Sequence, residues 1–299
     1  MMTTPLPSVG ALLPTRVYGP GNVWFVNSNG GSVNNTGADW ENALASINDA
    51  IAKCDADAGD IIVVAPNHSE DVATDGAITQ DVAGVAIFGE RRGRQMPTIN
   101  ATAIAGSLKV TGARCTVANL RFTGNADATT GILQVAAADC AVLNCEYRDV
   151  TGQCVDALLL TTDADRCLID GWKHLGDAAA GTNASVAIVG TDAVEIRNSY
   201  FYGNFAVGAI DFRTTLSTQV NIHHCLIWTE NAADIAIVDT ITGSTGTIGP
   251  KVYIRLEEDA ANITEAITGA TFHFFDPIYV ANANNERGLQ IDKAVSADA

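Results

Sequence analysis

The chain has 299 residues, with 34 acidic and 17 basic side chains, a net charge of −17 and 47% hydrophobic residues. So acidic a balance excludes a nucleic-acid binder, which needs a basic footprint, and a protein held to anionic lipid by charge. Intrinsic disorder is excluded as well, because Val, Ile, Leu and Ala runs continue to about residue 280. No run of about 18 apolar residues escapes polar interruption, so no membrane-spanning helix is expected.

In chain order, residues 1–21 read as an extended arm. MMTTPLPSVGALLPTR carries Pro5, Pro7 and Pro14 and lacks a basic start, so it is not expected to be a signal peptide. Largely uncharged and without period, such an arm is either a frayed end or reaches a partner surface. NVWFVNS (Asn22–Ser28) follows as a strand, then a Gly/Asn loop (Asn29–Gly37). ADWENALASINDAIAKCDA (Ala38–Ala56) places Trp40, Leu44, Ile47 and Ile51 at spacings of three and four, which predicts an amphipathic helix with Asp39 as N-cap. DIIVVAP (Asp60–Pro66) predicts the first buried strand, and PNHSED an exposed loop in which His68 has no chemical role. GERRGRQ (Gly89–Gln95), the one basic run, reads as a solvated turn or as a contact for an acidic or phosphate-bearing neighbour.

An internal repeat organises the rest. CTVANLRFTGN (Cys115–Asn125), CAVLNCEYRDV (Cys140–Val150), CLIDGWKHLGD (Cys167–Asp177), VEIRNSYFYGN (Val194–Asn204) and VNIHHCLIWTE (Val220–Glu230) start 25, 27, 27 and 26 residues apart. The third position is always apolar: Val117, Val142, Ile169, Ile196, Ile222. The fifth is Asn119, Asn144, Gly171, Asn198 or His224, and the eighth Phe122, Tyr147, His174, Phe201 or Ile227. GVAIFGERR (Gly84–Arg92) reads as an upstream copy and VYIRLEEDAAN, starting at Val252, as a weaker downstream one. A further β-branched run precedes each copy: SLKVTG, ILQVAA, ALLLTT, SVAIVG, AIDFRT and IAIVDT. No 3.6-residue period lies between these runs, which excludes helical solenoids.

Units of about 26 residues built from short strands and bends stack as a parallel β-helix, coil on coil at about 4.8 Å. Equivalent residues then form ladders. Asn119 and Asn144 should occupy a left-handed bend and stack as a short Asn ladder. Cys115, Cys140 and Cys167 should form a buried thiol column rather than a metal site, since no His or carboxylate lies alongside. The seven cysteines contain no C-x-x-C pair and are odd in number, so free thiols formed in a reducing compartment are expected. The predicted helix would cap the open first coil. Phe272, Phe274, Phe275 and Tyr279 would close the last coil or form a subunit contact. The resulting division is 1–21 arm, 22–66 strand and capping helix, 67–270 coils, and 271–299 closing segment.

Chemistry on such a fold would sit on an outward strand face. The acidic candidates are Asp156, Asp163, Asp211, Asp234 and Asp239, with Arg213 two residues after Asp211. Asp211, Arg213 and Asp239 are the trio that could act as a paired-carboxylate site; the competing reading is a solvated acidic face. His223 and His224 are adjacent on a strand, so they should point to opposite faces and not share a metal; His174 and His224 are expected to fill ladder positions. No metal, cofactor or nucleophile-elbow motif is evident, and no cofactor is expected.

The repeat resembles the right-handed parallel β-helix proteins of the pectin-lyase-like superfamily over roughly residues 20–280. VWFVNSNGG, ADWENALASINDAIAKC, GDIIVVAPNHSEDV, DVAGVAIFGERRGRQMPTI and ERGLQIDKAVSADA, in that order, further resemble a group of β-helix proteins of tailed bacteriophages found among head structural proteins. The resemblance implies a non-enzymatic decoration or cement protein on the outer capsid surface, made in the host cytoplasm. Its partners would be the major capsid protein and two copies of itself as a homotrimer, with neither nucleic acid nor membrane. The alternative is a tailspike-like polysaccharide depolymerase or lyase, or a glycan-binding adhesin.

Overall fold

The computed structural model describes residues 21–124, 130–149, 154–176, 182–230, 235–256, 266–269, 271–275, 278–282 and 285–291, the last of these and Asn282 by backbone only. The arm 1–20, the tail beyond 291 and Asp234 lie outside the described residues.

Three parallel sheets run the length of a β-helix. The first has ten strands, from Val23–Val26 through Ile61–Val64 to Thr271–Phe274; the second has ten, from Ser69–Val72 to Asn285–Ile291; the third has eight, from Ile78–Gln80 to Ile267–Thr268. Each aligned repeat supplies one strand to the first sheet and one to the second, and the run before it supplies one to the third. The third repeat position forms an unbroken inward column, Ile87–Val117–Val142–Ile169–Ile196–Ile222–Ile248. The eighth does the same in the second sheet, Phe122–Tyr147–His174–Phe201–Ile227. All of these residues are buried.

The fifth position is the corner between those sheets. Asn119, Asn144, Gly171, Asn198 and His224 all have positive φ, from 50° to 72°. Asn, Gly and His tolerate that region better than β-branched residues, which explains their recurrence. Asn119 donates its amide to Gly89 O at 3.2 Å, bonding the backbone of the neighbouring coil. A second left-handed corner falls one residue before each copy, at Arg114, Asp139, Arg166, Ala193 and Gln219, and these residue types give no sequence signal for it.

GVAIF is a genuine copy, since Ala86–Gly89 pairs in register with both Ile61–Val64 and Thr116–Ala118. VYIRL is not. Tyr253–Leu256 belongs to the second sheet, with Ile254 opposite Ile227, and the first-sheet strand of that coil is Thr245–Ile248. The apolar pattern of VYIRL imitates the third position while occupying the eighth.

The helix is also shorter than its periodicity predicts, Ile47–Ile51 instead of 38–56. Ser46, not Asp39, caps it: its hydroxyl accepts from Asp49 N at 3.1 Å and donates to the Asp49 carboxylate at 2.7 Å. Asp39 instead closes a turn by accepting from Asn42 N at 2.8 Å. Trp40 packs edge-on against Phe25, at 4.7 Å between ring centroids, and Leu44 bridges to Val26. Those apolar residues serve a turn, not a helical face. Ile47, Ala50 and Ile51 are buried over the first coil, so the helix does cover its open end.

At the opposite end Phe272 packs on Phe212, at 5.2 Å between ring centroids. Ile278–Asn282 then pairs antiparallel with Asn285–Ile291, ending the second sheet in a hairpin instead of an open parallel edge.

Candidate functional site

The outward column of the third sheet runs Lys109, Gln134, Leu159, Ala187, Asp211, Val238. Asp211 therefore stands between a methyl group and an isopropyl group, and only 2% of it is exposed. Burial pushes its pKa from 3.8 up to about 6; Arg213 works against the shift, while Asp156 and Asp239 add to it. Arg213 lies two positions on, places Nη1 3.6 Å from Asp211 Oδ2, and reaches past the intervening coil to form a close ion pair with Asp156. Asp156 is wholly buried, and that burial raises its pKa against the pull of Arg213.

Asp239 sits one coil beyond Asp211 but in register with Phe212, and its Oδ2 accepts from Ser244 N at 2.8 Å. It closes a turn. Asp163 is exposed in the turn after Asp156–Leu160 and takes no part. Of the sequence candidates, the structure thus joins Asp211, Arg213 and Asp156 directly, with Asp239 as an electrostatic neighbour. One carboxylate oxygen of each of the three aspartates has no hydrogen-bond partner among the described residues. Chemically the group is two buried carboxyls, Asp156 and Asp211, sharing one guanidinium. None of the three carboxylates is more than 2% exposed.

The histidines depart from expectation. His68 is buried, not exposed: its Nδ1 accepts from Ser28 N at 3.0 Å, so Nε2 carries the proton toward Glu70 Oε2 at 3.1 Å. Glu70 Oε2 also accepts from Ile47 N at 3.1 Å, so His68 and Glu70 tie the capping helix to the first coil. His174 does fill a ladder position, between the rings of Tyr147 and Phe205 at 4.9 and 5.0 Å, and burial lowers its pKa to about 3. His224 fills the fifth-position corner column, where it is exposed. That corner breaks strand alternation, so His223 and His224 meet instead of facing apart, with Nδ1 atoms 2.7 Å from each other.

The thiol column is present. Cys115, Cys140 and Cys167 are buried, free and bonded to Val82 O, Gly112 O and Ala137 O. Burial raises Cys115 to about 12, which keeps that thiol protonated, whereas a hydrogen bond from Cys167 lowers Cys140. The basic run turns at Gly93–Gln95, with Arg91 and Arg94 in solvent and Arg92 Nε on Asn119 Oδ1 at 3.2 Å.

Sequence reading missed an outward aromatic face on the second sheet. Tyr200, Leu226, Tyr253 and Tyr279 form one column in register. Leu226, Tyr253 and Tyr279 are 41%, 46% and 39% exposed, values high enough to make a contact surface. Tyr253 and Tyr279 stack at 5.2 Å with 9° between planes. Beside them Arg255 lies 4.2 Å over Trp228, Tyr202 meets Trp228 edge-on at 5.3 Å, and Tyr202 donates to Glu230 at 2.7 Å. The signal was available: these residues flank the inward eighth position on either side, in YFY and LIW.

The chain matches no protein-family model, and no curated protein matches it. Among solved structures it is similar to one described as "Rhamnogalacturonan lyase", with 11% identity and a TM-score of 0.51, over 81% of this chain and 75% of that one. That likeness shows the fold alone, a parallel β-helix. Among the described residues no helix is long and apolar enough to cross a membrane.

Proposed function

We propose that the chain is a structural protein that binds through its wall, and specifically a decoration protein on the outer surface of a bacteriophage head. It would sit there as a homotrimer on the major capsid protein. The observation that carries this reading is the contrast between two outward faces. The acidic group around Asp211 is closed to solvent, whereas the Leu226, Tyr253 and Tyr279 column is open. Apolar side chains in register on a rigid sheet suit docking to another protein. The charge of −17 suits a particle surface that stays soluble, and the ordered sequence blocks supply the resemblance to head proteins. Co-sedimentation of the purified chain with capsid shells lacking it tests the reading. Binding is expected, and Leu226→Ser with Tyr253→Ser should weaken it at least tenfold. Unbound shells would overturn it.

A second reading, a glycan-active depolymerase or a glycan-binding adhesin, is favoured by two features: a carboxyl raised to about 6 and an aromatic face on which sugar rings could stack. Its mark would be reducing ends or unsaturated uronates released from a surface polysaccharide, lost in Asp211→Asn; binding without such products would mark the adhesin.

A further inference from the structure

The His223–His224 pair has no part in either reading. His223 ends the first-sheet strand Val220–His223, and His224, at φ 53° with its N–H on Pro250 O at 2.9 Å, turns the chain. The two rings lie at 80°, with centroids 5.0 Å apart. His223 Nε2 is 3.0 Å from Glu195 Oε1, an oxygen that also accepts from Arg197 Nη1 at 2.8 Å. A carboxylate oxygen already bound by a guanidinium has no proton to give, so Nε2 of His223 is the donor. Its Nδ1 then carries a lone pair, and that lone pair faces His224 Nδ1 across 2.7 Å.

We propose that His223 and His224 form a two-nitrogen site for a divalent transition-metal ion of the cupric or nickel type. Metal–imidazole bonds are about 2.0–2.1 Å, so right-angled neighbouring positions hold nitrogens about 2.9 Å apart and tetrahedral ones about 3.4 Å apart. The observed 2.7 Å is close to the right-angled spacing of tetragonal Cu²⁺ or Ni²⁺ and short for tetrahedral Zn²⁺. Glu195 is a positioning residue: by accepting from Nε2 it fixes the tautomer that aims Nδ1 at the ion. His224 exchanges its Nδ1 proton with solvent for one on Nε2, with no net release. Arg197 is already engaged by Glu195 and by Asp170, at 2.9 Å, so its charge is offset beside the site. Among the described residues no group of three or more His, Cys, Asp or Glu is arranged to hold a metal, so water completes the shell.

The test is titration of the full-length chain with CuCl₂, NiCl₂ and ZnCl₂, followed by calorimetry, with electron paramagnetic resonance for copper. One saturable copper site with two imidazole nitrogens is expected, with affinity falling from Cu²⁺ to Ni²⁺ to Zn²⁺. His223→Ala and His224→Ala should each weaken it at least tenfold, and Glu195→Gln by roughly tenfold. His273→Ala, at an exposed histidine on the same sheet, should leave it unchanged. Circular dichroism verifies that each variant is folded, and the two-nitrogen signature of the unmodified chain does not depend on any variant. Absence of saturable copper binding, or binding that survives in His223→Ala and His224→Ala, would overturn the proposal.

Discussion

Asp211 pays for its place between Ala187 and Val238 whenever it is ionised. Its pKa is raised from 3.8 to about 6, by burial first and then by Asp156 and Asp239 over the opposing pull of Arg213. Below pH 3.8 the folded and unfolded chains both hold the proton and nothing is lost. Between 3.8 and 6 only the unfolded chain releases it, and above 6 the whole penalty stands, so this group makes stability fall as pH rises through that window. Asp211→Asn should therefore stabilise the protein by about 1–3 kcal/mol at pH 8 and by almost nothing at pH 3, read from urea midpoints at the two pH values. Arg213 has the opposite effect. Arg213→Met strips the buried Asp156 of its cation and should cost about 3–5 kcal/mol at neutral pH. Adding Asp156→Asn should recover most of that loss; if it does not, Arg213 stabilises through packing instead. At this scale the sequence was only partly legible. It singled out Asp211 and Arg213, but nothing in spacing shows that Asp239 falls opposite Phe212 or that His68 is enclosed. Those outcomes depend on register and on Ser28, 40 residues away.

The strands depend on corners that leave the ordinary backbone region. Asn144 occupies its corner at φ 50°, where a β-branched side chain collides with its own backbone, so Asn144→Val should cost about 1–2 kcal/mol. Ala193 holds the other corner at φ 55° without a side chain suited to it. Ala193→Gly should gain about 0.5–1 kcal/mol after the entropy of the unfolded glycine is subtracted, seen as a higher melting temperature. A lower melting temperature would show that this corner is not strained. The fifth-position corner was readable because Asn and Gly recur there. The other was not, because Arg, Asp, Ala and Gln share no turn chemistry. The helix misled for a related reason: spacings of three and four also arise where Trp40 covers Phe25 and Leu44 meets Val26, and the short capping sequence Ser46–Asp49 was the better guide.

Over the whole molecule, a repeat of about 26 residues sufficed to foresee the β-helix, since inward columns need apolar residues at fixed positions whatever the loops do. The outward faces obey no such rule: YFY and LIW mark part of the Tyr200–Tyr279 column, but Tyr253 and Tyr279 join it only through the register. The proposed trimer makes a direct prediction: light scattering after size exclusion should give about three times the 31.2 kDa chain mass. Tyr253→Ser would lower that mass only if the aromatic face also joins the subunits. The central claim is that the wall of the β-helix binds a phage head shell. Cryo-electron microscopy of the particle tests it most directly. Rod-shaped density on the outer shell, with the second sheet toward its partner, is the expected result. Bare heads, or the same density at the tail tip, would contradict it.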